Sequence, residues 1–289
     1  MLRIALATSS KYPNLTQDDR LLLRPLADRG IEAEPAIWDD PARDWSSFDA
    51  VVIRSCWDYH LKYEAFLSWI GSLEGARIPV WNSAALVRWN ANKSYLRDLE
   101  AKGISIVPTF WPEAGDPVCL REKLRELDWT KAVVKPRISA TAHRTHLIAA
   151  EDADAVQEVF HELQSTPGVM LQKFMNSIVN EGEWSLIFFG GQFSHPVLKK
   201  AKAGDFRVQS DFGGTDQAAD PPAQVLQSAI HIVRTVEPTL YARVDGVIDD
   251  GQFRLMELEL IEPALSLASH PAAPSRFAEA IAAAFSFRK

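Results

Sequence analysis

Short apolar runs alternate with helical patterns along most of the chain, and that alternation limits the fold more than any other feature. Over the first hundred residues it predicts strands at 2–7, 34–38, 50–54 and 79–81, with helices at 18–29, 62–73 and 86–102. The order β-α-β-β-α-β-α suits a small open sheet with helices packed on it. A smaller mixed set follows: strands at 106–110, 132–135, 146–149 and 169–174, and helices at 120–127 and 152–163. After residue 174 the pattern turns antiparallel. Strands 184–189 and 192–197 flank Gly190-Gly191, strands 242–248 and 253–261 flank Asp250-Gly251, and helices are expected at 223–235 and 275–285. The expected fold class is therefore α/β (α+β): a Rossmann-like start, a small α+β middle and a mainly antiparallel α+β end.

At 289 residues the chain is too long for one small module, and one large α/β unit or two to three closely packed subdomains are expected. Thirty-one basic against 38 acidic residues leave a net charge of −7, which argues against nucleic acid as a partner. The two cysteines, Cys56 and Cys119, are too few for a disulfide framework and form no zinc motif. No apolar stretch approaches the roughly 20 residues of a membrane span. A soluble, cytoplasmic protein is the expectation, with its first apolar run read as a strand rather than a leader.

Three carboxylates stand out inside apolar strands. Glu257 and Glu259 lie two apart and so share a face, and Asp245 interrupts the preceding strand. A three-residue turn over 250–252 would pair residue 249 with 253 and set Asp245 opposite Glu257. A two-residue Asp-Gly turn would pair Asp245 with Met256 and split the set. Opposed like charges destabilise a sheet unless something compensates them, and a divalent cation does so. The plainer reading is a strand with a solvated acidic face, but the mixed order of Leu255, Met256 and Leu258 fits it poorly.

Other residues have ordinary readings when taken singly. Lys135 ends the apolar run Ala-Val-Val-Lys-Pro; its ammonium would either enter a cleft as a phosphate ligand or snorkel to water. The small residues Ser139-Ala-Thr-Ala142 after it would let backbone amides approach a phosphate. Lys93 alone reads as a surface lysine early on a helix. Gln172, Lys173, Phe174 and Met175 end a strand, where exposed backbone suits an adenine edge, and Glu183 would accept from ribose hydroxyls.

As an ordered set these residues resemble the ATP-grasp superfamily, in particular its glutathione synthetase-like ligases, over nearly the whole chain. The stretch from Phe193-Ser-His-Pro-Val-Leu-Lys-Lys200 through Gly204-Asp-Phe-Arg-Val-Gln209 to Gly213-Gly214 is similar to a bacterial branch that includes a cyclo-ligase of cycloserine biosynthesis. The resemblance implies an ATP-grasp fold: a Rossmann-like substrate domain over 1–90, a small ATP-grasp subdomain over 91–171, and a C-terminal one over 172–289 bearing the metal site. It implies that Lys93, Lys135 and Ser139 hold the ATP phosphates, Gln172–Met175 the adenine and Glu183 the ribose. Asp245, Glu257 and Glu259 would hold Mg²⁺, as two ions, with Mn²⁺ able to replace it. Arg207 would sit by the transferring phosphate with Lys199 as its helper. Many members carry Glu-x-Asn where this chain has Glu257-x-Glu259, and many have a glycine-rich loop where it has Ser139-Ala-Thr-Ala142. Dimers are common among similar proteins, so a homodimer is within the expectation.

The implied reaction joins a small carboxylate to an amine, or cyclises one molecule carrying both, through an acyl phosphate. A kinase that stops at phosphoryl transfer and a nucleotide-binding regulator without turnover share such a fold. Substrate residues must be sought elsewhere. Arg54 and Asp58 follow the third strand, and ligands of open α/β sheets sit at the carboxyl ends of strands. Arg54 would hold a carboxylate and Asp58 an amine; equally, Asp58 would cap a helix, with Trp57 and Tyr59 as packing residues. Asn82 has a similar, weaker claim, and Gly213-Gly214 would allow close backbone approach to substrate.

Overall fold

The computed structural model describes residues 2–165, 168–209 and 212–286. The first part of the chain runs β1 (Leu2–Thr8), α1 (Gln17–Arg20), α2 (Leu23–Ala27), β2 (Ile31–Ile37), β3 (Ala50–Ile53), α3 (Tyr63–Gly75), β4 (Val80–Trp81), α4 (Ala84–Asn90) and α5 (Tyr95–Ala101). Its four strands form a parallel sheet ordered β2-β1-β3-β4. Both faces are covered over the central strands, whose buried stretches 4–7 and 50–53 are wholly apolar, whereas the edge strand β2 carries Glu32 and Glu34.

Two expected helices are each split. The helix expected over 18–29 becomes α1 and α2, because Pro25 has no amide to continue the first. The helix expected over 86–102 breaks between α4 and α5. There Asn92 Oδ1 accepts from the Ser94 amide at 3.0 Å, and the Lys93 amide leaves to reach the Arg137 carbonyl at 2.8 Å. Lys93 is thus a loop residue tied to the segment after β6.

The middle part comprises β5 (Thr109–Phe110), α6 (Leu120–Glu126), β6 (Lys131–Pro136), β7 (His146–Ala149), α7 (Gln157–Ser165) and β8 (Val169–Lys173), in a four-stranded sheet ordered β5-β8-β6-β7. The strand expected over 106–110 shrinks to two residues at Pro108. Upstream, Ile106 bridges instead to Leu255 of the next sheet. The expected helix over 152–163 begins as a 3₁₀ turn over 150–156.

The last part holds α8 (Ser177–Asn180), β9 (Glu183–Phe189), β10 (Gln192–Lys200), β11 (Thr215–Gln217), α9 (Ala223–Thr235), β12 (Tyr241–Asp249), β13 (Gln252–Glu259) and α10 (Ala273–Ser286). The strands form an antiparallel sheet ordered β11-β10-β9-β12-β13. One face, with Trp184, Leu186, Phe188, Val244 and Leu258, packs against α9 and α5. The other meets the N-terminal sheet through Ile187, Phe189, Val197 and α10. Cys56 is buried, Cys119 exposed, and both are free thiols. Among the described residues no helix is long and apolar enough to cross a membrane.

The β12–β13 turn corrects one premise of the sequence reading. Asp249 pairs with Gln252, so the turn has two residues, Asp250 and Gly251, and not three. Asp245 nevertheless lies opposite Glu257, because a bulge places Gly246 opposite Leu255 and leaves Met256 as the extra residue. Gly246 makes the bulge practicable: a Cβ there would collide with the Arg254 carbonyl and lie 2.5 Å from the Phe253 ring.

Candidate active site

Strand alternation brings the polar residues of the last sheet onto one face. Glu183 and Ser185 of β9, Lys199 of β10, Arg243 and Asp245 of β12, and Glu257 and Glu259 of β13 stand in adjacent rows. Glu183 pairs with Lys199, Ser185 with Asp245, Asp245 with Glu257, and Arg243 with Glu259. This face floors a cleft. Lys135 enters it from β6, Ser139 and the residues after it from the following loop, Gln172 to Met175 from the end of β8, and Arg207 from the loop after β10. Every residue expected to bind nucleotide or metal, or to act in catalysis, lines this one cleft.

Its charges are tightly engaged. Lys93 Nζ lies 2.7 Å from Glu257 Oε1 and donates to the Ser139 carbonyl at 2.7 Å. Arg243 grips both oxygens of Asp245, with Nη2–Oδ2 at 2.9 Å, and reaches Glu259 Oε1 at 2.5 Å. Ser185 Oγ donates to Asp245 at 2.5 Å, and Lys199 Nζ lies 3.6 Å from Glu183 and 3.9 Å from Asp245. Lys135 forms no ion pair among the described residues. Arg207 pairs with Asp205 at 2.8 Å and stacks on Phe212, with its guanidinium carbon 3.7 Å from the ring centre. Phe206 meets Phe174 edge to face, linking this loop to the end of β8. The amides of Lys173 and Phe174 are taken by the carbonyls of Pro108 and Lys131.

The protonation balance follows from burial and neighbours. Burial would push the Lys93 ammonium down, but Glu257 beside it, with Glu259 and Glu262 behind, holds it above the ordinary lysine range. Burial lowers Lys135. Burial would raise Asp245 and Glu257, but Arg243 and Lys93 respectively hold each below the ordinary range. Glu183 and Glu259 are pushed up by burial to about 7, and Glu262 to about 8.

These shifts predict a pH dependence of stability. Glu183, Glu259 and Glu262 hold protons in the folded state that they release near 4.5 when unfolded. Stability therefore falls as pH rises through 7 and 8, by at most about 1.4 kcal/mol per group per pH unit. His60 and His195, pushed down by burial to about 4 from 6.5, give the opposite slope below 6.5. In metal-free buffer the melting temperature is expected to fall between pH 6.5 and 8; a rise over that interval would contradict these assignments.

As the side chains stand, no three acidic, histidine or cysteine residues among those described are arranged to hold a metal ion. The reason is that Arg243 bridges Asp245 and Glu259 while Lys93 takes Glu257. The donor set still suits Mg²⁺: its acidic oxygens are hard ligands, and one of them, Glu259, is raised by burial with Asp245 and Glu257 adding to it.

The five substrate candidates lie outside the cleft lining. Arg54 is 1% exposed; it pairs with Asp19 at 2.9 Å and donates to the Pro263 carbonyl at 2.7 Å, so its guanidinium is not offered to a ligand. Asp58 accepts from Trp38 Nε1 and Lys62, and its side chain caps no helix. Asn82 is fully buried, donating to the carbonyls of Tyr241 and Leu260 and accepting from the Leu240 amide. Gly214 packs against the 208–209 backbone, where a Cβ would collide with the Val208 carbonyl, and a Cβ on Gly213 would meet the Lys202 side chain. Trp57 and Tyr59, the supposed packing residues, do line the cleft.

Arg243, Ser185 and Glu262 were missed. Arg243 was legible, being two residues before Asp245 and hence on its face. Ser185 had no distinguishing signal. Glu262 lies beyond the end of β13, where strand periodicity no longer assigns a face.

Comparison with known proteins agrees with this arrangement. The RimK domain ATP-grasp protein of Sphaerobacter thermophilus DSM 20745 superposes with a TM-score of 0.72 at 17% identity, over 96% of this chain and 98% of that one. The fold is that of the ATP-grasp enzymes. The family model for the D-cycloserine synthetase DcsG N-terminal domain matches residues 4–82. The cycloserine biosynthesis protein DcsG of Streptomyces lavendulae is 32% identical over 96% of this chain and 97% of its own length. The crystal structure of D-cycloserine synthetase DcsG superposes with a TM-score of 0.86 at 28% identity, over 98% of this chain and 99% of that one. The chain belongs to the DcsG family of ATP-grasp ligases.

Proposed function

We propose that this ligase activates a small carboxylate with ATP as an acyl phosphate and captures it with a nitrogen nucleophile. The carboxylate oxygen attacks the γ-phosphorus, the bond to the bridging oxygen breaks, and ADP leaves. The nitrogen then attacks the acyl carbon, the C–O bond to phosphate breaks, and phosphate departs while the nitrogen gives up a proton. Such chemistry needs positioning and charge neutralisation more than a protein nucleophile. The observation that carries the reading is the gathering of Lys93, Lys135, residues 172–175, Glu183 and three strand carboxylates around one cleft.

In this reading Lys93, Lys135 and the Ser139 loop hold the phosphates, and Gln172, Lys173, Phe174 and Met175 take the adenine. Glu183 accepts from the ribose. Asp245, Glu257 and Glu259, now engaged by Lys93 and Arg243, would hold Mg²⁺, which would supply charge neutralisation for the phosphate oxygens. Arg207, on releasing Asp205, offers a bidentate fork to the transferring phosphate, with Lys199 beside it. The N-terminal 1–90 supplies the substrate side, 91–171 the upper wall and 172–289 the floor.

Likeness to a D-cycloserine synthetase favours a substrate with both reacting groups in one molecule. ADP release is the test. A joining ligase turns over only with a carboxylate and an amine together, a cyclising one with a single compound. ADP release that leaves a stable phosphorylated acid would mean a kinase. ATP binding without turnover across a broad panel of amino acids and carboxylates would mean a regulator.

A further inference from the structure

Residues 260–265 leave β13 and form a wall of the cleft without pairing in any sheet. Their six successive carbonyls are each held by a side chain from elsewhere. Leu260 is held by Asn82 at 2.7 Å, Ile261 by the Tyr241 hydroxyl at 2.8 Å, and Glu262 by Trp57 Nε1 at 2.8 Å. Pro263 is held by Arg54 at 2.7 Å, Ala264 by Arg243 at 2.9 Å, and Leu265 by His195 Nε2 at 2.9 Å. This fixes the backbone that presents Glu262 to the cleft. The Glu262 residue is only 8% exposed; its carboxylate accepts from its own backbone amide and has no hydrogen bond or ion pair with another side chain among the described residues. Lys93, whose charge reaches it, is already committed to Glu257 and the Ser139 carbonyl. Trp57 and Tyr59 line the cleft beside it.

A buried carboxylate on a rigid support, without a base of its own, is a receptor for a cation. Resting on the ligase reading above, we infer that Glu262 is the specificity-determining residue of the substrate pocket: its carboxylate receives a protonated amino group, so the substrate is an amino acid seated against Trp57 and Tyr59. The group held this way keeps its proton, so the attacking nitrogen is a second one on the same substrate or a partner. Burial, with the charge of Glu259 adding to it, raises the affinity of Glu262 for protons.

The test reads nucleotide and substrate binding separately. The full chain is first melted with Mg²⁺ and the non-hydrolysable β,γ-imido analogue of ATP. The enantiomers of alanine, serine and 2,3-diaminopropionate are then added, next to propionate, 3-hydroxypropionate and 3-aminopropionate, which lack the α-amino group. At least one amino acid should raise the melting temperature further, and its counterpart should bind at least about 10-fold more weakly. Glu262→Gln should keep the nucleotide shift and lose on the order of 10–100-fold in affinity for that amino acid. Glu262→Asp, which keeps the charge, should retain the preference. A Gln variant that binds the amino acid as wild type does, counterparts that bind equally well, or no amino acid binding at all would overturn the inference. So would loss of the nucleotide shift in the Gln variant, which would assign Glu262 to the fold or the nucleotide. Absence of that shift in the wild-type chain would instead remove the ATP site itself, and the inference with it.

Discussion

An Arg54→Met variant is expected to lose about 3–5 kcal/mol of stability, with its denaturation midpoint falling accordingly. Arg54 is among the largest fully buried side chains, sandwiched 5.2 Å from the Tyr241 ring centre and 5.6 Å from that of Phe277. Methionine fills much of that volume but leaves the Asp19 carboxylate with only Thr16 and Ser55, and the Pro263 carbonyl with no donor. The double variant Arg54→Met, Asp19→Asn should recover part of the loss, because the uncompensated charge is then removed. Chemical denaturation of the three proteins measures this. If Arg54→Met is as stable as wild type and loses only substrate affinity, Arg54 belongs to the substrate pocket after all.

Lys135→Met is expected to behave in the opposite way. ATP-dependent turnover should fall about 100-fold or more, since a charged donor aimed at a developing anion in a water-excluded site carries effects of that size. Stability of the unliganded protein should hold or rise, because burial already disfavours the Lys135 ammonium and no carboxylate pairs with it among the described residues. ADP release and melting temperature together check the pair of signs. Turnover within a few-fold of wild type would return Lys135 to the ordinary role of a strand-end lysine.

The two variants mark where the sequence could and could not be read. Much of the cleft was legible because many of its residues sit on periodic elements. Glu183, Asp245, Glu257 and Glu259 obey strand alternation, and Lys135 closes an apolar run that had to be a strand. Even so, the opposition of Asp245 and Glu257 was reached through a turn of the wrong length, since no sequence rule locates the bulge at Met256. Arg54 and Asn82 were misread for a different reason. A polar residue at the carboxyl end of a parallel strand signals a ligand only when nothing covers it, and what covers these two lies 209 and 178 residues further along. Glu262 was invisible because its placement depends on that same long-range fastening.

The fastening also sets an order in time. Segment 260–265 has no ladder of its own to zip along; all six of its anchors come from positions before it in the chain, and Trp57, Arg54 and Asn82 come from the opposite end. Closing loops of that length has an entropic cost that only finished partners offset, so the sheets must exist before this wall can set. The cleft is thus among the last parts of the molecule to be completed. A fragment begun after residue 82 lacks the side chains that hold the Leu260, Glu262 and Pro263 carbonyls, and with them part of the support of Glu262.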